Sequence, residues 1–211
     1  MRSQGNDMDN KEHWEAVYRS KASVAVSWYR PHLDTSLRLI GEAAPDRNAA
    51  IIDVGGGEST LVDDLLQRGY RNLTVLDMST VALDATKQRL GSIAEQVTWV
   101  ESDITLTDLP KHRYHVWHDR AVFHFLTESS QRAAYMHLLT RALRPDGRVV
   151  IATFGPMGPV RCSGLDVRRH DAQQLSDELG AGFELVTSTL EYHRTPAGSA
   201  QQFLYCCFRK L

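Results

Sequence analysis

A glycine-rich turn between a strand pattern and a helix pattern constrains the fold of this chain more than any other segment. Residues 49–54 form an apolar run that ends in Asp53-Val-Gly-Gly-Gly57, and residues 58–68 repeat apolar side chains at helical spacing. Glycines let the backbone approach a ligand closely, and the first turn of a helix leaves backbone N–H groups free to bind it. We therefore expect a buried strand, a ligand-binding turn and a helix.

A second strand pattern, residues 73–77, ends in an acidic residue. Asp77 follows Gly57 by about 20 residues, which is the spacing expected of a Rossmann-type nucleoside site. Its carboxylate can accept hydrogen bonds from both hydroxyls of a ribose. The two segments together predict that the chain binds a cofactor that contains a nucleoside.

Strand and helix patterns alternate along the chain until two strand patterns follow each other directly. The remaining predicted strands are residues 97–100, 114–118, 148–154, 183–193 and 201–209. The remaining predicted helices of this part are residues 80–90, 171–179 and a segment within 128–143. This order predicts an α/β fold, with a doubly wound, seven-stranded, mostly parallel sheet, a C-terminal antiparallel hairpin and helices on both faces.

The N-terminal part is predicted to form a helical lid. Residues 1–9 are polar and are expected to be a disordered tail, and helix patterns follow at residues 10–20 and 33–43. The predicted domains are therefore residues 1–45, a tail and helical cap, and residues 46–211, a Rossmann-like domain.

Composition argues against several classes of protein. Over 211 residues the net charge is −2, which gives no general attraction to nucleic acid or to an anionic membrane. No apolar stretch approaches the ~20 residues that span a bilayer, and residues 1–10 lack the apolar segment of a signal peptide. We expect a cytoplasmic protein without a nucleic-acid or membrane partner. Cys162, Cys206 and Cys207 show no metal-ligand spacing, so no metal site is predicted.

Two details of the glycine turn argue against a nicotinamide dinucleotide. The position of the third glycine in the dinucleotide fingerprint is occupied by Thr60. Asp53 and Glu58 flank the turn, and carboxylates there would repel a pyrophosphate. They suit a cationic ligand instead. S-adenosylmethionine carries an ammonium group, a sulfonium and a ribose, and it has no phosphate.

These motifs and their order resemble the class I S-adenosylmethionine-dependent methyltransferases, in particular small bacterial members. The resemblance rests on Asp53–Gly57, Asp77, Ser102-Asp103-Ile104 and the closing hairpin, and it covers roughly residues 45–211. It implies S-adenosylmethionine as the cofactor and S-adenosylhomocysteine as the product.

The resemblance also implies a role for each residue of the glycine turn. Asp53 would help to hold the ammonium group of the cofactor. Gly55 and Gly57 would flank its methionine part, with Gly56 between them. Ser59 stands where the family usually has a third glycine, and it is expected to contact the cofactor in that place.

The nucleoside part of the cofactor would be held by the ends of the second and third strands. Asp77 would bind the ribose hydroxyls, and Met78 would pack on the adenine. Asp103 would accept a hydrogen bond from the adenine amino group, with Ile104 on the other face of the ring.

Aromatic residues of the predicted lid are candidates for contact with the sulfonium. Trp28 and Tyr29 lie in a loop beside Pro31 and are well placed to close over a ligand, where a ring near the cation would add cation–π attraction. We predict that Trp28 contacts the cofactor. For Trp14 and Tyr18, packing of the first helix on the sheet is the simpler interpretation.

The segment after the fourth strand, His118-Asp-Arg-Ala-Val-Phe-His-Phe125, stands where class I methyltransferases place residues that face the methyl group. Asp119 and His124 are predicted to be catalytic, either as bases or by orienting the acceptor. His118 is predicted to line the cofactor site, with a purely structural histidine as the alternative. Arg120 is expected to hold structure by pairing with an acid.

One local basic cluster follows the fifth strand. Arg161, Arg168, Arg169 and His170 belong to a loop, residues 155–170, that is interpreted either as solvated or as an anion-recognising substrate loop.

The predicted function is transfer of a methyl group to a small-molecule nitrogen, sulfur or oxygen acceptor, and a small molecule is preferred over a protein substrate. A protein-lysine methyltransferase and a non-catalytic, S-adenosylmethionine-binding regulatory protein are the alternatives. A nicotinamide oxidoreductase ranks behind them. The acceptor and the oligomeric state do not follow from the sequence.

Overall fold

A seven-stranded sheet with helices on both faces forms the centre of the protein. The structure is a computed structural model that describes residues 5–211 and the side chains of residues 10–211. The helices are α1 (Gly5–Ser20), α2 (Asp34–Ala43), α3 (Leu61–Gln67), α4 (Thr80–Leu90), α5 (Ser129–Ala142) and α6 (Ala172–Leu179). The strands are β1 (Ile51–Val54), β2 (Leu73–Asp77), β3 (Val97–Glu101), β4 (Tyr114–Arg120), β5 (Leu143–Phe154), β6 (Arg161–Cys162), β7 (Leu165–Asp166), β8 (Phe183–Arg194) and β9 (Ala200–Lys210).

The order of strands across the sheet is β3-β2-β1-β4-β5-β9-β8. Strands β1 to β5 run parallel to one another, whereas β9 is antiparallel to both β5 and β8. The predicted α/β fold is therefore confirmed, including the mostly parallel sheet and the C-terminal hairpin. The strand order reverses between β1 and β4, and open α/β sheets bind ligands at the carboxyl ends of their strands at such a reversal.

Each face of the sheet has its own hydrophobic core. Helices α2 and α3 cover one face with side chains such as Leu37, Ile40 and Leu65, and α5 and α6 cover the other with Tyr135 and Leu175. Helix α2, which the sequence groups with the lid, thus shares a core with the parallel sheet. The division of the chain at residue 45 stays a prediction.

Three segments differ from the sequence-based expectation. Helix α1 begins at Gly5, so the disordered tail is wrong for residues 5–9, while residues 1–4 lie outside the described residues. Strand β4 continues to Arg120, because its pairing with β5 extends to Ala152. The loop at residues 155–170 contains the short hairpin β6–β7, whose strands of two residues are too short for a periodic pattern.

Helix α1 is fixed across the carboxyl edge of the sheet by two polar contacts. Glu15 is buried, and its Oε1 accepts hydrogen bonds from the backbone N–H groups of Thr80 (2.7 Å) and Val81 (3.4 Å). A carboxylate at a helix N-terminus stabilises the unpaired N–H groups there, so Glu15 caps α4 from outside. Lys11 Nζ pairs with Glu101 Oε1, at the end of β3, at 2.5 Å. Among residues 5–211, none of the helices combines the length and the apolar content needed to cross a bilayer.

Candidate functional site

A cavity of about 420 Å³ lies at the carboxyl ends of β1, β2 and β4, and α1 and the loop after it form its roof. This volume accommodates one drug-sized ligand. The predicted site residues that line the cavity are Trp28, Asp53, Gly55, Gly56, Ser59, Asp77, Met78, Asp103, Ile104 and His118. The sequence motifs from four strands and the lid thus converge on one cavity, whereas Gly57, Asp119 and His124 are not among its lining residues.

The glycine turn requires glycine for two separate reasons. Gly55 and Gly57 have φ angles of 67° and 41°, in the left-handed region that other residues rarely adopt. A side chain at Gly55 would also collide with Val122 from the segment after β4. A Cβ at Gly57 would lie 2.8 Å from Tyr18 Oη and 2.9 Å from Asp77 Oδ2. The turn therefore packs closely against the two segments that flank the cavity.

Asp53 belongs to a buried chain of hydrogen bonds that fixes its carboxylate. His118 Nδ1 lies 2.7 Å from Asp53 Oδ1, and His118 Nε2 lies 2.9 Å from Ser36 Oγ. Asp53 and His118 are paired positions of neighbouring strands, and both side chains are buried. With its proton on Nδ1, the imidazole donates a hydrogen bond to the carboxylate. His118 thus orients Asp53 at the cavity wall.

Asp77 lies at the end of β2 with its carboxylate buried. Burial raises the pKa of Asp77 from 3.8 to about 7. The backbone N–H groups of Ser79 and Gly57 lower this pKa, and the charges of Asp53 and Glu15 raise it. The hydrogen bond from Ser79 N to Oδ1 measures 2.8 Å. Ligand hydroxyls that donate to this carboxylate would favour its ionised form.

The end of β3 and the residues after β2 complete the predicted nucleoside side of the cavity. Asp103 Oδ1 accepts hydrogen bonds from Thr105 N and Thr105 Oγ1, both at 2.7 Å, which hold the loop after β3. Ile104 is buried, Met78 is partly exposed, and Ser59 lies just before α3. Their roles toward a cofactor stay predictions.

Four aromatic side chains form the roof of the cavity, and we call Trp14, Tyr18, Trp28 and Phe125 the aromatic roof. The ring centroids of Trp14 lie 5.0 Å from Phe125 and 5.9 Å from Trp28, and Tyr18 lies 6.4 Å from Trp28. Such edge-to-face contacts stabilise aromatic pairs. The loop pattern predicts a ligand contact for Trp28. For Trp14 and Tyr18 the sequence favours packing on the sheet, because a helical aromatic stripe fits that interpretation equally well, and Phe125 has no distinguishing pattern of its own.

Asp119, one of the two predicted catalytic residues, is buried away from the cavity. Its Oδ2 accepts a hydrogen bond from Tyr135 Oη at 2.7 Å, and its Oδ1 accepts one from Val122 N at 3.0 Å. Phe123 N donates to Oδ2 at 3.2 Å. Burial raises the pKa of Asp119 to about 6, against the lowering effect of these donors. The structure thus gives the carboxylate a structural position, in which it holds the turn after β4.

His124, the second predicted catalytic residue, is also fully buried. Its Nδ1 accepts a hydrogen bond from Phe154 N at 3.2 Å, and its ring packs against Phe125 and Phe154. Burial, together with the charges of nearby His170 and Arg120, lowers the pKa of His124 to about 3, so the ring is neutral at pH 7. The placement of both side chains corrects the expectation that they face the methyl group.

Carboxylates outnumber cationic side chains in the cavity wall. The acidic lining residues are Asp53, Glu58, Asp77, Asp103, Glu128 and Asp166, against the basic residues Arg30 and Arg120. Glu58 Oε2 is buried without a hydrogen-bond partner, and burial raises the pKa of this residue, while Arg89 lowers it. The wall therefore favours a cationic ligand on electrostatic grounds.

None of the four basic residues of the loop at 155–170 lines the cavity, although one of them pairs with a carboxylate of the wall. Arg161 pairs with Asp166 at 3.1 Å, and Arg168 pairs with Glu178 at 2.9 Å. Arg169 donates to the carbonyl of Pro156. Since these charges are satisfied locally and none of the cluster lines the cavity, they contribute to the loop's structure.

The sheet order, the glycine turn and the acids at the ends of three neighbouring strands define a class I methyltransferase fold. Residues 51–147 match the methyltransferase domain family. The structure of a Burkholderia thailandensis 1,6-didemethyltoxoflavin-N1-methyltransferase, with that substrate and S-adenosylhomocysteine bound, superposes with a TM-score of 0.68. It is 22% identical and covers 96% of this chain and 84% of the other. The resemblance to class I S-adenosylmethionine-dependent methyltransferases is thereby confirmed.

Curated relatives in sequence are enzymes that are named for a protein substrate. The mouse eEF1A lysine and N-terminal methyltransferase is 23% identical over 144 residues, which are 68% of this chain and 20% of that protein. The chain thus spans about a fifth of that relative's length. The human EEF1A lysine methyltransferase 2 is 23% identical over 201 residues, which are 85% of this chain and 76% of the relative.

These relatives correct one expectation. From the sequence we expect a small-molecule acceptor rather than a protein substrate, whereas both relatives are named as methyltransferases of lysine in eEF1A. A small-molecule acceptor would need the Trp28-Tyr29 segment to close over the pocket as a lid. Such a lid is compatible with a slender side chain that enters from outside, so it does not discriminate between the two kinds of acceptor.

Proposed function

We propose that this protein is an S-adenosylmethionine-dependent methyltransferase that methylates the Nζ atom of lysine in a protein. The observation that carries the proposal is the cavity itself, which has room for about one ligand and a wall in which carboxylates dominate. A cavity of that size leaves space for a narrow second reactant rather than for a bulky one. The lysine side chain is narrow and cationic, and the names of the relatives support it.

The residues of the cavity wall suit each part of the cofactor. Asp53, oriented by His118, would hold the ammonium group. The turn Gly55-Gly56-Gly57 and Ser59 would follow the methionine part, where only glycine permits the observed backbone and close approach. Glu58 adds a second buried negative charge beside this turn, which the cofactor's cationic groups would compensate.

The nucleoside would lie along the ends of β2 and β3. Asp77 would accept hydrogen bonds from the ribose hydroxyls, Met78 and Ile104 would pack on the adenine, and Asp103 would bind its amino group. On the side of the sulfonium, Trp28 and the rest of the aromatic roof would supply a face that attracts a cation and excludes water.

The chemistry needs alignment more than it needs a strong base. S-adenosylmethionine supplies a methyl group on a sulfonium, and this leaves as a neutral thioether while the lysine nitrogen forms the new bond to carbon. The protein has to align the two reactants and exclude water from them. In intramolecular comparisons, such alignment lowers the activation free energy by roughly 7–11 kcal/mol. The lysine ammonium, which the carboxylate-rich wall attracts, must release its proton to solvent before its nitrogen attacks, and neither Asp119 nor His124 is required.

A labelling experiment tests the proposal. The protein is incubated with methyl-deuterated S-adenosylmethionine and either a tryptic digest of whole-cell protein or a panel of small amines, thiols and phenols, and mass spectrometry locates the label. Label on lysine Nζ supports the proposal. Label only on small molecules overturns the protein acceptor and leaves methyltransferase activity in place.

Two variants control this experiment. Asp77→Asn removes the carboxylate that would bind the ribose and should abolish labelling. Asp84→Asn changes an acid of the adjacent α4 that pairs with Lys87 on the surface, and it should label as the parent protein does. If calorimetry detects binding of neither S-adenosylmethionine nor S-adenosylhomocysteine to the parent protein, the proposed cofactor is wrong.

A further inference from the structure

Arg120 occupies the end of β4, next to an unusual backbone conformation. Ala121 follows it with a φ angle of 72°, one of few positive values at a non-glycine residue among those described. The conformation is held by the hydrogen bond from Ala121 N to Ala152 O at 2.9 Å. Strain of this kind persists where the surrounding structure fixes it, and it concentrates at functional sites. Here it turns the chain directly behind the Arg120 side chain, which lines the cavity.

The guanidinium of Arg120 is held firmly but is incompletely satisfied. Nε donates to Tyr205 Oη at 2.9 Å, Nη1 donates to the carbonyl of Trp28 at 3.0 Å, and Cζ lies 4.5 Å from the centre of the Phe203 ring. Nη2 is buried and has no hydrogen-bond partner. A buried donor without a partner is costly, and a charged one more so.

No carboxylate among the described residues lies within ion-pair distance of Arg120. The sequence-based expectation that it pairs with an acid is therefore not met. Its positive charge is also unbalanced locally, because the groups that hold it are a phenol, a carbonyl and an aromatic ring. An anionic partner from outside the chain would satisfy both the free donor and the charge.

The sheet order gives the cavity two electrically different ends. Asp103, Asp77 and Asp53 stand at the carboxyl ends of the neighbouring strands β3, β2 and β1, and Arg120 stands at the end of β4. The three acids are on the side that the proposed cofactor would occupy, and Arg120 is the basic residue among these four strand ends. The other acids of the wall, Glu58, Glu128 and Asp166, come from outside β1 to β4. The acceptor would enter beside the guanidinium.

We propose that Arg120 binds a carboxylate carried by the methyl acceptor and thereby sets its specificity. This rests on the proposed function, in which the acceptor is a protein lysine, and it adds that an acidic side chain stands close to that lysine. Nη2 would donate to the carboxylate, while Tyr205 and Trp28 keep the guanidinium in position. A free amine that carries its own carboxylate offers the same chemistry, and the experiment separates the two.

The test uses synthetic peptides with one central lysine and flanks that are acidic, amide-substituted or basic. The parent protein should methylate the acidic peptides about ten- to a hundredfold better than their amide counterparts, the range expected for a charge-assisted hydrogen bond. Arg120→Gln should bring this ratio close to one. Arg120→Glu should reverse it in favour of basic flanks, and Arg120→Lys should keep part of it.

The ratio between acidic and amide peptides separates recognition from a structural role. Loss of the contact between Arg120 and Trp28 would slow all peptides alike and would leave the ratio unchanged. Arg38→Gln is the matched control, because Arg38 is exposed and pairs only with Glu42 one helical turn away. Calorimetry with S-adenosylhomocysteine verifies that each variant is folded and holds the cofactor product.

A second measurement does not depend on turnover. Binding of N-acetylglutamate and of N-acetylglutamine is measured on the complex with S-adenosylhomocysteine, for the parent protein and for Arg120→Gln. If the parent protein binds N-acetylglutamate more tightly than N-acetylglutamine, and Arg120→Gln loses this difference, the inference is supported. This holds even if no peptide is methylated. The acceptor would then be a small amine that carries a carboxylate, instead of a protein lysine. Equal binding of both compounds, or peptide labelling without a charge preference, overturns the inference and leaves the proposed function standing.

Discussion

Replacing Asp77 by asparagine should stabilise the ligand-free protein, and the gain should grow with pH. Asp77 is 6% exposed, and burial raises its pKa from 3.8 to about 7. Asparagine keeps an oxygen that accepts the hydrogen bond from Ser79 N but carries no charge. The variant therefore removes the cost of an ionised carboxylate in the cavity wall, and it also loses the hydrogen bond that the Gly57 N–H donates to the second carboxylate oxygen, a loss that does not depend on pH.

The sign and the size of the effect follow from the two pKa values. The unfolded chain releases the Asp77 proton near 3.8, whereas the folded protein holds it up to about 7. Between these values the folded state binds more protons, so its free energy of unfolding falls as the pH rises through that window. The shift of about 3 units corresponds to about 4 kcal/mol above pH 7 as an upper limit, because water that enters the open cavity hydrates the carboxylate.

Denaturant unfolding at about pH 5 and about pH 8 measures the difference in the free energy of unfolding between Asp77→Asn and the parent protein. The advantage of Asp77→Asn should increase by up to about 3 kcal/mol between the two conditions, which cover most of the titration window. Asp84→Asn, on the exposed side of α4, should show no such change. A gap that is independent of pH, or a variant less stable than its parent at both values, would refute the assignment of a strained, buried carboxylate to Asp77.

Three further substitutions follow from the packing of the site, each measured by denaturant unfolding. Gly55→Ala should lower the free energy of unfolding by about 1–3 kcal/mol, because the new Cβ collides with Val122 and the residue has a positive φ. Gly41→Ala is its matched comparison in α2, where a Cβ meets open space, and it should raise the free energy of unfolding by about 0.5–1 kcal/mol. Glu15→Gln weakens the cap of α4, so it should lower the free energy of unfolding by about 0.5–2 kcal/mol and should also reduce the affinity for S-adenosylhomocysteine. Glu12→Gln, on the exposed side of α1, should change neither quantity. Asp119→Ala should cost at least about 3 kcal/mol, because it leaves Tyr135 Oη and two backbone N–H groups without their acceptor; full stability with lost turnover would instead restore a catalytic role.

The sheet and the meeting of Asp53 and Asp77 at one cavity were predictable, because they depend on local patterns. Strands β1 and β2 are apolar runs that end in Asp53 and Asp77, and parallel strands bring their carboxyl ends to one edge. The rest of the site depends on contacts between distant segments. The residues next to Asp119 in the sequence do not indicate that Tyr135, on α5, donates a hydrogen bond to its carboxylate inside the core.

The N-terminal helix shows the same limit of sequence reasoning. The spacing of Trp14 and Tyr18 predicts a helix with an aromatic face, but it does not say whether that face meets the sheet or a cavity. That choice is made by Glu15, whose carboxylate reaches the start of α4 and turns the face inward. Because this cap joins two separate helices, the periodic pattern of neither helix predicts it.

The attachment of α1 through Glu15 has a consequence for the speed of the catalytic cycle. The same helix that roofs the cavity is attached to the segment that follows Asp77 and Met78, so we expect release of the spent product to involve movement of this attachment. Residence time of the product and strength of the cap are then linked. Substitutions that weaken the cap should shorten the dwell of S-adenosylhomocysteine, and an enzyme limited by product release would turn over faster while binding its cofactor less tightly.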